Sequence, residues 1–357
     1  MAYTNINDPS AHFQTVLWTG NGTAGNAVTF DGNSNMQPDF VWSKRRDSAT
    51  HFVLKDTSTG GTSNNDQHLV SSLTQAEQTY TQYRMDFDSN GFTLDGVGDS
   101  GFQGSGTSMV SWAWKANGGT TSSNTDGTIT STVQANQDAG FSIQTFTGAS
   151  SGNSNWGHGL GVTPDVFIVK RRDSAGGWWG HWKGTARTAG GGNNWEYMGL
   201  HSSVAATSLS TFKADSTTIT TSDDFVAPSA SYLCYAFAEK QGYSKFGSYI
   251  GNGNGDGPFV YTGFKPAFVM VKNATDSGVS WMIQDHKRDI DNPVHHRLKA
   301  NASDAEATNI NQMDFLSNGF KCRVNDSSWN LSGKTYIYMA FAENPFTTST
   351  GIPTTAR

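Results

Sequence analysis

One sequence block occurs three times in this chain of 357 residues, and the repeat limits the possible folds more than any other feature. The block reads PDFVWSKRRDS at 38–48, PDVFIVKRRDS at 164–174 and, with more changes, PAFVMVKNATDS at 266–277. A second block, MDF-x-SNGF, begins at Met85 and again at Met313. These two methionines are 228 residues apart, as are Lys44 and Lys272. Because a fixed-period repeat reflects a repeated structural unit, the sequence predicts three tandem domains, at 1–118, 119–243 and 244–357.

Both blocks are typical of β-strands. Phe40, Val41 and Trp42 are consecutive apolar residues, which indicates a strand covered on both faces. Ser-Asn-Gly between two short apolar runs favours a hairpin turn. The 40 glycines, 12% aromatic residues and only 15% charged residues suit short strands joined by tight turns. We therefore predict an all-β protein of three tandem β-sandwiches of jelly-roll or lectin-like type, a row of which would form a stiff rod or arm.

The second predicted domain opens with a Gly/Ser/Thr/Asn-rich segment at 117–137. Its composition is typical of a flexible linker. The stretch TITSTVQA within it alternates as a strand does, so pairing with a neighbouring strand is an equal alternative.

Motifs that carry chemistry are scarce. The chain has no G-x-S-x-G nucleophile elbow and no H-E-x-x-H zinc motif. It also lacks the dense acidic strand that a sandwich glycosidase needs for its two carboxylates. His295 and His296 are adjacent, so on a strand they would point to opposite faces and could not share one ion. KRRD ends a predicted strand, and its two arginines are followed by an acid, which favours local ion pairs over an anion site. We expect no catalytic activity, no cofactor and no metal site.

Charge and hydropathy exclude two classes of partner. The net charge of −6 does not provide the basic face that a general nucleic-acid binder needs. No apolar run approaches 18 residues, which predicts no membrane insertion. Cys234 and Cys322 lie in apolar runs and are expected to be buried thiols.

The best candidate for a binding surface lies after KRRD in the second domain. Aligning WWGHWK at 178–183 with HFVLKD at 51–56 and SWMIQD at 280–285 places Phe52, Trp179 and Trp281 on one face. The opposite face then carries Trp178 and Trp182, where the other domains have smaller or polar residues. We predict that this pair forms an exposed surface for a sugar ring or a partner side chain. The alternative is that both tryptophans pack against a neighbouring domain or subunit.

Several longer stretches resemble a family of structural proteins of tailed phages, which is frequent in phages of marine bacteria. The most specific are YTGFKPAF and YMAFAENPF, and the resemblance covers about residues 1–346. It implies a virion component, often labelled a tail fibre, with lectin-like sandwich domains. It supplies no catalytic residues.

From this resemblance we expect a non-enzymatic virion structural protein, foremost a tail fibre or adhesin that contacts the host cell surface. The alternative is a capsid decoration or head-fibre protein, and a polysaccharide-active enzyme is the third possibility. The expected partners are other virion proteins, further copies of the chain in a trimer, and a host surface glycan or protein. The first domain would lie nearest the particle. The absence of a secretory signal pattern at the start and of paired cysteines agrees with assembly in the host cytoplasm.

Overall fold

The computed structural model describes residues 3–97, 101–185, 195–209, 211–308 and 311–354. The three predicted ranges are called units 1, 2 and 3. The strands of unit 1 are β1 Phe13–Thr19, β2 Asn26–Thr29, β3 Phe40–Arg45, β4 Val53–Asp56, β5 Gln67–His68, β6 Gln78–Thr79, β7 Met85–Asp88, β8 Gly91–Leu94 and β9 Ser108–Trp114. Unit 1 also holds a one-turn helix, α1 Thr57–Gly60, and the 3₁₀ turns Pro9–Ala11 and Thr81–Tyr83.

Units 2 and 3 are built from strands in the described residues. Those of unit 2 are β10 Ser122–Asn124, β11 Ser131–Asn136, β12 Phe141–Thr147, β13 Ser154–Gly157, β14 Val166–Arg171, β15 Trp178–Trp182, β16 Trp195–Gly199, β17 Thr207–Leu209, β18 Lys213–Ala214, β19 Thr218–Thr221 and β20 Ser231–Phe237. Those of unit 3 are β21 Ser244–Ile250, β22 Phe259–Tyr261, β23 Phe264–Asn273, β24 Met282–Asp285, β25 Leu298–Lys299, β26 Met313–Leu316, β27 Gly319–Cys322 and β28 Thr335–Pro345.

Each unit has a larger and a smaller antiparallel sheet with the same order of strands. The larger sheets contain β1-β9-β3-β4, β12-β20-β14-β15 and β21-β28-β23-β24, and the smaller ones are β2-β8-β7, β13-β19-β18 and β22-β27-β26. Unit 2 extends its larger sheet with β10 and β11 on one side and β16 and β17 on the other. The predicted all-β, multi-sandwich fold is confirmed. The segment at 117–137 contributes strands β10 and β11, so its strand interpretation is also confirmed.

The SNGF block forms the predicted hairpin in units 1 and 3, with Asp88 opposite Gly91 and Leu316 opposite Gly319. Its glycine is required by a close approach of two strands. A Cβ on Gly91 would lie 2.0 Å from the carbonyl oxygen of Val28, and one on Gly319 would lie 2.1 Å from the corresponding oxygen of the neighbouring strand. The glycine therefore lets the smaller sheet close at the hairpin.

The three larger sheets face one another across a single core at the centre of the molecule. This core contains buried residues from β1, β3 and β9 of unit 1 and from the equivalent strands of units 2 and 3. At its centre, equivalent positions of the three units carry Trp114, Phe237 and Phe341. Their ring centroids form a triangle with sides of 6.2, 5.5 and 5.9 Å. The units are thus arranged about a pseudo-threefold axis, and the expectation of a rod of tandem sandwiches is wrong. Each unit also has its own core between its two sheets.

The contacts between units repeat around this axis at the end of the KRRD strand. Arg172 of unit 2 forms an ion pair of 2.8 Å with Glu77 of unit 1, and the Glu77 amide donates to the Arg172 carbonyl oxygen. Arg46 of unit 1 binds Glu306 of unit 3 through the same two interactions. Two of the three interfaces are therefore closed by an ion pair between half-buried or buried partners.

The third interface keeps the backbone contact and loses the charges. The Ala206 amide of unit 2 donates to the Ala274 carbonyl oxygen of unit 3 at 3.0 Å. Alanine thus occupies both positions that hold the arginine and the glutamate in the other two interfaces. The three units form a closed ring in which the unit 2–unit 3 contact has alanines in place of this ion pair and keeps other hydrogen bonds, such as that from the Trp281 indole N–H to the Gly199 carbonyl oxygen.

A second set of contacts between units lies nearer the axis, at the last residue of the strand after KRRD. Asp56 of unit 1 accepts a 2.8 Å hydrogen bond from the hydroxyl of Tyr235 in unit 2. Asp285 of unit 3 accepts one of 3.0 Å from the indole N–H of Trp112 in unit 1. In unit 2 the equivalent residue is Trp182, whose ring lies 4.5 Å from that of Trp281 in unit 3.

The part of the chain that the structure describes holds no helix with the length and apolarity to cross a membrane.

Candidate functional site

Trp178 and Trp182 lie in the central core and not on the surface. Their exposed fractions are 0% and 2%. The indole N–H of Trp178 donates to the Val70 carbonyl oxygen of unit 1 at 2.8 Å, and the Trp182 ring lies 4.5 Å from that of Trp281 in unit 3. The prediction of an exposed pair is therefore wrong. The alternative, packing against neighbouring units, describes both residues.

The error is a one-residue shift in the alignment of the strands. Trp178 pairs with Lys170, and it follows that lysine by eight residues, as Phe52 follows Lys44. Trp178 is thus equivalent to Phe52 and not to His51. Because side chains alternate along a strand, a shift of one residue exchanges the two faces.

The other candidates from the sequence have structural partners. The imidazole of His295 lies 3.1 Å from Asp289, and that of His296 lies 3.7 Å from Glu306. Among the described residues no group of three or more His, Cys, Asp and Glu side chains could hold a metal ion. Both cysteines are free and buried.

The KRRD blocks end in local ion pairs, as the sequence predicts. Arg45 binds Asp47 at 2.5 Å, and Arg171 binds Asp173 at 2.6 Å. The block's lysine is buried in every unit, and burial lowers its pKa to about 8 at all three positions. In unit 2 the Lys170 ammonium donates to three carbonyl oxygens, two of them in unit 1. These cations support loop backbones and are not available to an external anion.

A cleft of about 460 Å³ lies between the two sheets of unit 2, lined by His181, Lys183 and Trp195 among others. Its two carboxylates are already engaged. Asp165 pairs with Lys183 at 3.0 Å. Asp215 accepts four hydrogen bonds from Thr217 and Thr218. Among the described residues that line the cleft, both carboxylates thus have partners.

The outer face of the smaller sheet in unit 3 carries two exposed aromatic side chains. Phe259 is 46% exposed and Tyr261 is 54% exposed, while Val260 between them points into the core of the unit. The strand register gives the equivalent residues of the other two units, which are Ala27 and Thr29 in unit 1 and Asn155 and Gly157 in unit 2. Unit 3 alone has large apolar rings at these positions.

Tyr3 extends this pair, and we call Tyr3, Phe259 and Tyr261 the aromatic face. The Tyr3 hydroxyl donates to the Gly263 carbonyl oxygen at 2.6 Å, and the Tyr261 hydroxyl, 3.3 Å away, donates to Tyr3. The pKa of Tyr3 is raised well above its ordinary value, mainly by burial and to a smaller extent by the hydrogen bond with Tyr261. Gly263 has a φ of +83°, and a Cβ there would lie 2.6 Å from the Tyr3 hydroxyl oxygen. A glycine at this turn therefore holds the N-terminal segment against β22.

The Phe259 ring lies over the neighbouring strand, β27. A Cβ on Gly319, the residue opposite Tyr261, would lie 3.0 Å from the Phe259 ring. One side of the Phe259 ring therefore covers the backbone of Gly319, and the other side of the ring faces solvent. This placement has a structural role of its own, since an aromatic ring over a strand glycine shields the bare backbone.

A row of paired charges borders the aromatic face. Lys321, directly opposite Phe259, binds Asp256 at 2.8 Å, and Arg323 binds Asp314 at 3.0 Å. The side chain of Asp256 is 77% exposed, and its hydrogen bond with Lys321 lowers the pKa of this carboxyl group. The two cations and two anions give this border no net charge.

Comparisons with known proteins add one family. A family model described as a domain of unknown function (DUF7483) matches residues 8–345. The chain belongs to this family. The match runs through all three units of the DUF7483 domain, in agreement with their shared central core. Neither the curated proteins nor the solved structures gave a match.

A short sequence pattern indicates the aromatic face of this DUF7483 chain. GNG occurs at 20–22 in unit 1 and at 251–253 in unit 3, and each precedes the first strand of the smaller sheet. Aligning the chain from these glycines would place FVY of unit 3 close to AVT of unit 1. The pattern aromatic–valine–aromatic then indicates a strand with two rings on its outer face.

Proposed function

We propose that this chain is a non-enzymatic structural protein of a tailed-phage virion, a tail fibre or adhesin that contacts the host cell surface through the aromatic face of unit 3. The observation that carries the proposal is the exposure of Phe259 and Tyr261 at positions where the two sister units have small or polar residues. Exposed aromatic side chains that cluster on one face are a mark of an interaction surface.

The rest of the fold supports a binding role for this face. The large aromatic side chains of the central core are buried against one another, whereas Phe259 and Tyr261 are about half exposed. β22 is the edge strand of the smaller sheet in unit 3, and the side chains of Phe259 and Tyr261 on it are about half exposed. Residues on this face are therefore free to serve contact with another molecule.

A second candidate function is capsid decoration, and the closed ring of units favours it. A rod of sandwiches would suit a fibre that reaches outward, whereas three units around one core form a body without an extended axis. In this alternative the aromatic face contacts the capsid. Both proposals place the protein in the virion, after assembly in the host cytoplasm, with other virion proteins as partners.

Localising the protein in intact virions separates these functions. We expect a few copies at the tail by quantitative gel analysis and cryo-electron microscopy. Dozens of copies spread over the head would overturn the adhesin proposal in favour of decoration. Release of fragments from host polysaccharide by the purified chain would overturn the non-enzymatic assignment.

An adsorption assay tests the aromatic face directly. The purified chain should block phage adsorption, and the double variant Phe259→Ala/Tyr261→Ala should not. Tyr80→Ala is the matched control, because Tyr80 is 43% exposed and its ring contacts His68 and Tyr83 of unit 1 and no member of the aromatic face. Equal blocking by the double variant would contradict the proposed site. Light scattering tests the proposed trimer, for which the mass would be about 115 kDa, three times 38.4 kDa.

A further inference from the structure

We infer that the aromatic face binds a neutral glycan, whose sugar rings stack on Phe259 and Tyr261. This inference rests on the proposed function, since it assigns the chemical class of the ligand that the same face contacts. It draws on the two rings, the hydroxyl groups beside them and the charge of the border.

The two rings suit a ligand with flat apolar surfaces at regular intervals. Phe259 and Tyr261 are two residues apart on one strand, which separates their positions by about 7 Å. A pyranose ring presents a face of C–H groups that packs against an aromatic ring, and it keeps its hydroxyl groups at the edge. An oligosaccharide can therefore place one sugar on each aromatic ring.

The polar groups next to the rings match the hydroxyl groups of a sugar. The Tyr261 hydroxyl uses its proton on Tyr3 and keeps its lone pairs for a donor. The exposed carboxylate of Asp256 and the partly exposed guanidinium group of Arg323 supply an acceptor and donors beside Phe259. These are the planar polar groups that can form two hydrogen bonds with neighbouring hydroxyls.

The charge of the border favours a neutral ligand. Lys321 and Arg323 are both paired with aspartates, so an acidic polysaccharide would have to displace Asp256 or Asp314 to reach either cation. An anionic nucleic acid meets the same obstacle, and the net charge of the whole chain is −6. An uncharged ligand does not have to break these ion pairs, and its hydroxyl groups can hydrogen-bond to the cations as well as to the carboxylates.

Binding of the purified full chain to neutral oligosaccharides tests the inference. The probes are immobilised oligomers of glucose, galactose and N-acetylglucosamine, with sialylated and uronic-acid oligomers for comparison. We expect binding to at least one neutral series. Removing one ring, by Phe259→Ala or Tyr261→Ala, should weaken this binding about tenfold, which corresponds to about 1.4 kcal/mol. Tyr80→Ala should bind as the unchanged chain does.

A second variant separates stacking from folding. Phe259→Leu keeps an apolar cover over Gly319 and removes the aromatic ring, so the thermal midpoint should stay unchanged while glycan binding falls. Full binding by Phe259→Leu would overturn the stacking inference. So would binding to acidic oligomers alone, no binding to any neutral series, or a dimer in light scattering that Phe259→Ala dissociates, since the face would then join two copies of the chain.

The inference and the proposed function can fail separately. Glycan binding by a chain that does not block adsorption would refute the adhesin role and leave the glycan site intact. Blocking of adsorption that persists on host cells whose surface glycans have been oxidised with periodate would refute the glycan and leave the adhesin role intact.

Discussion

Removing one ring at the centre of the molecule should destabilise all three units together. Phe341 is 1% exposed, and its ring lies 5.1 Å from Phe13, 5.5 Å from Trp114 and 5.9 Å from Phe237. These neighbours belong to units 1 and 2. Phe341→Ala therefore removes contacts from every unit, although the residue is part of unit 3.

The expected loss of unfolding free energy is about 5 kcal/mol. Truncation of a buried phenylalanine costs ~3–5 kcal/mol, and the cost is highest where the surroundings cannot collapse into the space. Rings that belong to three separate sheets surround Phe341, so no single sheet can move in to fill the cavity. With an m-value of about 5 kcal/mol/M in guanidinium chloride, the unfolding midpoint should fall by about 1 M.

Hydrogen exchange measured by mass spectrometry shows whether this loss is shared. We expect Phe341→Ala to speed amide exchange in β9 of unit 1 and β20 of unit 2 as well as in unit 3. Phe320→Ala is the control, because Phe320 is also fully buried but belongs to the separate core of unit 3. Its effect should be largest within unit 3. Faster exchange confined to unit 3 in Phe341→Ala, or two separate unfolding transitions of which only one moves, would refute the shared core.

Other contacts between units give further predictions. Burial raises the pKa of Asp56 to about 6. Between about pH 4 and 6 the folded chain therefore holds a proton that the unfolded chain has released, and the free energy of unfolding falls as pH rises through this window. Asp56→Asn should remove this part of the pH dependence in denaturant titrations at pH 4.5 and 7, and an unchanged difference between the two pH values would contradict the assignment. Glu77→Ala should lower stability by ~1–3 kcal/mol, because Arg172 loses its partner while half-buried. Ala206→Glu should lower the thermal midpoint, since Ala274 offers no cation to the carboxylate of the new side chain; a rise in the thermal midpoint would contradict this expectation.

The sequence predicts those parts of the fold that depend on local patterns. The SNGF hairpin and the buried strand before KRRD follow from a turn signal and an apolar run, and both are present. The repeat predicts three similar units for the same reason. The alternation of polar and apolar residues in TITSTVQA correctly indicates strand β11, whereas the composition of the segment indicates a linker.

The arrangement of the units was not predictable in the same way. A strand that is apolar on both faces shows that something covers it, but it does not show whether the cover is its own smaller sheet or another unit. Trp42 and Val41 illustrate the point, since one faces the central core and the other faces the core of unit 1. The prediction for Trp178 failed because it needed the register of two strands to within one residue. The aromatic face was missed because exposure is a property of the assembled sheets.

The closed ring also determines how many copies of a given surface one chain carries. Three identical subunits around a threefold axis would carry every surface in triplicate, whereas here only one of three similar units has the rings of Phe259 and Tyr261. The aromatic pair therefore occurs once per chain. In any assembly of several chains, avidity through this face would depend on the number of chains and on the distances between them, and not on the symmetry within a chain.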